Sequence, residues 1–109
     1  MDFREERVAR NEARAREINE RIEESYESHR PDTHLSIVCE CGLAECDVFL
    51  PVTKAEYEDV RADPRLFLID RTHLIADVED VVSETDRFAV VAKREGEAAE
   101  VATETDPRS

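Results

Sequence analysis

All three cysteines of this chain fall inside eight residues, Cys39-Glu40-Cys41-Gly42-Leu43-Ala44-Glu45-Cys46. Structural zinc takes thiolate and imidazole donors in a closed tetrahedron and needs them held close by short chelate loops, so Cys-x-Cys-x4-Cys offers three of the four ligands. The spacing is not the doubled Cys-x-x-Cys of a zinc ribbon, yet three thiols in a short polar loop are a poor fit to the small-hydrophobe role of isolated buried cysteines. The fourth donor must come from elsewhere. We favour His73, in Asp70-Arg71-Thr72-His73, because a loop at the end of a strand can swing over the cysteine turn. His34 would require the chain to double back, His29 sits near the end of a long helix, and Asp47 is too close to Cys46 to share a tetrahedron with it. Two rival chemistries stand beside the metal. A redox thiol pair would want a nearby positive charge or helix N-terminus, whereas Glu40, Glu45 and Asp47 are acids that raise a thiol pKa in the absence of metal. A cluster of free thiols with no function is the other.

The elements that must position these residues follow from periodicity. Residues 35, 37, 39 and 41 share one face of an extended segment, and Cys46 to Val52 returns as a second strand, so the cysteines straddle the turn of a hairpin. Thr53-Lys54-Ala55-Glu56 matches a capping box and opens a helix that ends at Asp63-Pro64. Leu66-Phe67-Leu68-Ile69 is a buried strand, the spacing of Val78, Val81 and Val82 predicts a helix over 75–84, and Phe88 to Ala92 is a final central strand. Upstream, residues 5–28 lack Gly and Pro and carry a thin apolar stripe, Val8, Ala15, Ile18, Ile22 and Tyr26. Pairs such as Glu12–Arg16 and Glu17–Arg21 mark the opposite face as solvated. The expected class is α+β: a long N-terminal helix, then a small mixed sheet of about four strands with two packed helices and a zinc-closed hairpin. Residues 1–30 form the amphipathic helix, 31–93 the zinc-stabilised domain, and 94–109 a polar mobile tail whose short Ala/Glu/Val stretch holds at most one frayed helical turn.

Composition narrows the function. With 28 acidic and 15 basic side chains the formal charge is −13, and no Lys/Arg cluster stands apart, which disfavours direct contact with nucleic acid or an anionic membrane. No apolar run reaches the roughly 18 residues of a membrane span, and Met1 to Glu6 lacks a signal-peptide core, so a cytoplasmic protein is expected. An odd number of clustered cysteines does not suit a disulfide framework. About 60 residues between helix and tail make a small core that a metal would fasten. Only two glycines, no Ser/His/acid spacing and a closed Cys3His donor set argue against an enzyme.

The run Val38-Cys39-Glu40-Cys41-Gly42 with Cys46, then Val52-Thr53 and Glu56-Tyr57-Glu58-Asp59-Val60-Arg61-Ala62-Asp63-Pro64-Arg65-Leu66-Phe67, resembles a family of small bacterial proteins, best represented in high-GC Gram-positive lineages, to which no activity is assigned. The resemblance extends to Asn11-Glu12 and Ile18-Asn19-Glu20-Arg21-Ile22 and to Glu104-Thr105-Asp106-Pro107-Arg108. Where that family carries Pro-Gly-His, this chain has Arg71-Thr72-His73. The resemblance implies Cys39, Cys41, Cys46 and His73 as a zinc set. The expected role is a non-catalytic interaction or regulatory module that holds structural zinc and meets a protein partner through its N-terminal helix or acidic surface. The alternative is a thiol-based redox or metal sensor that releases zinc on oxidation.

Overall fold

The computed structural model describes residues 3–27, 30–43, 45–73, 79–93 and 97–108. Helix α1 spans Phe3–Ser25 and is followed by strands β1 (His34–Val38) and β2 (Phe49–Thr53). These pair as an antiparallel hairpin in the register Val38↔Phe49 to His34↔Thr53. Helix α2 (Lys54–Arg61) starts at Thr53, whose hydroxyl accepts from the Glu56 N–H while Glu56 accepts from the Thr53 N–H, the reciprocal cap its sequence announced. Strands β3 (Leu66–Ile69), β4 (Glu79–Glu84) and β5 (Ala89–Lys93) form an antiparallel sheet in the order β3-β5-β4, with β5 central. Helix α3 spans Glu97–Glu104.

The fold is α+β with a long N-terminal helix, as expected, and three features depart from expectation. The described strands number five and pair antiparallel throughout, where a mixed four-stranded sheet was expected. Residues 79–84 are strand rather than helix; 74–78, the start of the expected helix, lie outside the described residues. A bulge at Val82 shifts the register between Val81 and Ser83 and leaves both Val81 and Val82 exposed, so the period-two signal that would have marked a strand is broken. The stretch expected as a polar mobile tail contains α3, which buries Ala99 and Ala102.

The core holds Leu35, Ile37, Leu50 and Val52 from the hairpin, Tyr57 and Val60 from α2, and Phe67, Leu68, Ile69, Phe88, Val90 and Val91 from the larger sheet. Each such side chain contributes roughly 1.5–3 kcal/mol by leaving water. Glu40 joins the two sheets: its N–H donates to the Leu68 carbonyl at 2.8 Å, and its carboxylate accepts from the Leu68 N–H at 3.0 Å.

Helix α1 docks through a polar seam. Glu12, Arg16, Asn19 and Glu23, at spacings of four, three and four, are the buried positions, whereas Ile18 of the apolar stripe is exposed. Arg16 donates to the carbonyls of Pro64 (2.6 Å) and Ala102 (2.7 Å) and lies 4.6 Å over the Phe67 ring. The Asn19 amide brackets Val38, donating to its carbonyl at 2.9 Å and accepting its N–H at 2.8 Å. Glu12 meets Lys93, which also pairs with Glu79 at 2.8 Å, and all three are buried. At the far end Arg108 bridges Glu20, Glu23 and Glu58, fastening the segment after α3 to α1 and α2. The Glu12–Arg16 pair that marked a solvated face thus belongs to the interior.

Candidate metal centre

The hairpin ladder continues one step past Val38, where the Cys39 N–H donates to the Val48 carbonyl at 3.0 Å. The chain then turns. Gly42 adopts φ +79°, a conformation that costs a side-chain-bearing residue about 1 kcal/mol or more, and its carbonyl accepts from the Asn11 amide at 2.9 Å. A Cβ there would lie 2.6 Å from Val8 Cγ1 and 2.8 Å from the Val8 carbonyl oxygen, so glycine also lets α1 lie directly on the turn. The Cys46 N–H closes the loop on the Leu43 carbonyl at 3.1 Å.

His73 arrives from the loop after β3. The Asp70 carboxylate accepts from the Thr72 N–H at 2.9 Å and hydroxyl at 2.6 Å, and the Asp70 carbonyl accepts the His73 N–H at 3.0 Å. This Asp/Thr turn does locally what a proline-glycine pair does through its backbone preferences. The same segment gives Cys39 a partner, the Asp70 N–H donating to its sulfur at 3.1 Å.

The result is one cluster. Cys39, Cys41, Cys46 and His73 bring a donor atom each to within 4.8 Å of one another, the two first thiols buried and Cys46 and His73 half-buried. His73 Nδ1 lies 3.5 Å from Cys39 Sγ and 3.6 Å from Cys46 Sγ. A tetrahedron with metal–sulfur and metal–nitrogen bonds of about 2.3 and 2.0 Å sets that separation at about 3.5 Å, so His73 stands at zinc-site spacing from two of the sulfurs. His34, passed over as a ligand, is exposed on β1, and His29 lies outside the described residues.

The protons on these sulfurs point the same way. Cys41 is pulled down to about 5, chiefly by a hydrogen bond from Cys39, with the Leu43 N–H and neighbouring Cys46 and His73 assisting against burial. Cys39 is pushed up by its hydrogen bond to Cys41 and then by burial, and Cys46 is pushed up, burial leading. A divalent ion among three sulfurs so close would displace the protons they hold.

Sequence reasoning placed Glu40 among acids crowding a polar loop. It is instead fully buried and turned to other business: its carboxylate accepts from Arg61 at 2.8 Å, from Asn19 at 2.7 Å and from the Leu68 N–H. Arg61 is itself buried and also donates to the Leu66 carbonyl. The residue between two of the candidate ligands therefore ties β3, α1 and α2 together. A lone Glu between cysteines gives no sequence signal of this. No described helix is long and apolar enough to cross a membrane. Comparison with protein-family models, with curated proteins and with solved structures finds no match for the chain.

Proposed function

We propose that this chain is a small zinc protein in which Cys39, Cys41, Cys46 and His73 hold one structural Zn2+, and that it serves as a non-catalytic interaction or regulatory module in the cytoplasm. The observation that carries the proposal is the four-donor cluster itself, with two sulfur–nitrogen separations of 3.5 and 3.6 Å. All four positions are filled by protein donors, which is the arrangement of structural sites; catalytic zinc keeps a position for water or substrate. Zinc here would clamp the irregular loop between β1 and β2 to the loop after β3. In small finger peptides such a site contributes on the order of 10–16 kcal/mol, enough to decide whether a small core folds. The free thiols suit a reducing compartment.

Native mass spectrometry before and after a strong chelator tests this. We expect one zinc per chain, lost in Cys39→Ser, Cys41→Ser and His73→Ala, and loss of cooperative unfolding in the stripped protein. A metal-free protein that melts as sharply as the untreated one refutes it.

One observation favours the sensor as a second reading: Cys46 is the only described thiol that is not buried. Hydrogen peroxide could join its sulfur to Cys39 or Cys41 as a disulfide, two thiolates losing two electrons and peroxide with two protons becoming two waters, with zinc released. Zinc release at low peroxide that reverses on adding a dithiol favours this reading; retention of zinc favours the structural one.

A further inference from the structure

The outward face of the β1–β2 hairpin carries no carboxylate, lysine or arginine. Residues alternate along each strand, and cross-strand partners share a face, so His34, Ser36 and Val38 stand with Thr53, Pro51 and Phe49 on the side away from the core. None is Asp, Glu, Lys or Arg, in a chain whose charged fraction is 39%. The solvated face of an antiparallel pair normally alternates toward polar and charged residues. Here Phe49 is 59% exposed, and Leu43, in the turn beyond it, is 43% exposed. Between them in sequence the loop exposes two carboxylates, Glu45 and Asp47. Beside Pro51, Arg87 donates to the Pro51 carbonyl and pairs with Glu56 at 2.7 Å and with Asp86 at 3.9 Å.

We propose that this face, with Phe49 as its anchor and Glu45 and Asp47 as its acidic rim, is where a partner protein docks, and that the partner offers an apolar pocket flanked by Lys and Arg. The inference rests on the zinc-held module proposed above, since it is the metal that would hold the rim loop in shape. An exposed aromatic ring in a neutral patch is the usual centre of an interface, and opposite charges at its edge steer encounter. Two considerations disfavour a second copy of this chain as the occupant. Each copy carries a formal −13, and the acidic rim of one would meet the acidic rim of the other. Strand addition at β2 is disfavoured as well, because Pro51 within the strand lacks the N–H that a strand-adding peptide would pair with.

The test places a photo-crosslinking phenylalanine analogue in the full chain at position 49 or 36, with position 100, exposed on α3, as control, in cells of the source organism. We expect the 49 and 36 chains to capture one common protein at least tenfold more than the 100 chain does. The crosslinked peptide should carry Lys or Arg beside its apolar residues, and capture repeated with the purified partner should fall several-fold in 0.5 M salt. Phe49→Ser and, separately, Ser36→Glu in a chain carrying the analogue at 38 should abolish capture while zinc content, measured on the same preparations, stays at one per chain. Equal capture at 100, capture of a second copy, or a captured peptide without basic residues overturns the proposal. If capture at 49 persists in chains that hold no zinc, the metal reading fails and the docking face stands. If zinc is present and position 49 captures nothing above control, the docking face fails and the metal reading stands.

Discussion

Replacing Glu40 with Gln removes one charge and almost no volume from a site with no solvent access. In the native arrangement Glu40 Oε1 accepts from Arg61 and from the Leu68 N–H, and Oε2 accepts from Asn19 Nδ2. A glutamine carbonyl can take over the first two, but its amide then faces Asn19 donor to donor. Asn19 cannot turn over to help, because its amide is held by both the carbonyl and the N–H of Val38. The larger loss is electrostatic: Arg61, 4% exposed, loses the carboxylate it pairs with. Breaking a buried pair by neutralising one partner costs about 3–5 kcal/mol, and an unsatisfied buried donor adds about 1. Small domains have about 5–15 kcal/mol in all, so Glu40→Gln should consume much of the total. In urea, with a slope of about 1.5 kcal/mol per molar, the midpoint of the zinc-loaded protein should fall by roughly 3–4 M. Adding Arg61→Met, which removes the stranded charge, should restore more than half of that fall. A midpoint shift below about 0.5 M for the single variant would refute the idea that Glu40 organises the interior. So would a double variant less stable than the single one.

Three further outcomes follow from the same geometry. Gly42→Ala combines a left-handed backbone cost of about 1–2 kcal/mol with a collision against Val8, and should lower the melting temperature by roughly 10 °C, read by circular dichroism. Burial pushes the Glu12 carboxyl up to about 7 against the pull of Lys93; because that lies above its unfolded value, the folded state holds the extra proton between about pH 4.5 and 7. Stability should therefore fall as pH rises through that window, by on the order of 3 kcal/mol for Glu12, and Glu12→Gln should lessen the slope in urea titrations from pH 5 to 8 while Glu23, also pushed up to about 7 by burial, keeps part of it. Arg108→Ala loses a partly exposed network with Glu20, Glu23 and Glu58 and should cost only about 1 kcal/mol, a difference that vanishes in 1 M salt.

Where local chemistry decides, the sequence was informative. Period-two spacing brought the cysteines to one hairpin turn, the capping box started α2 at Thr53, and a histidine after a strand reached the cluster. What it concealed were interactions whose two halves are far apart in the chain. The helical seam of Glu12, Arg16, Asn19 and Glu23 looks like surface until Lys93, Pro64, Ala102, Val38 and Arg108 are known to lie opposite it. Likewise the valines at 81 and 82 suggested a helix because a bulge erased the alternation of β4, and two buried alanines were too faint to reveal α3. Tertiary pairing overrode local preference in each case.

Two of the contacts that seat the first helix come from the last tenth of the sequence: Arg16 waits for the Ala102 carbonyl, 86 residues downstream, and Glu20 for Arg108, 88 downstream. At translation speeds of about 5–20 residues per second, α1 is made about 4–17 s before those partners exist. During that interval a helix bearing Glu12, Arg16, Asn19 and Glu23 stays in water at little cost, because these are the side chains that water solvates best. An apolar seam of the same length would spend those seconds as a sticky surface on a growing chain. The polar docking of α1 therefore lets the fold close end upon end without exposing a hydrophobic helix while the chain is being made.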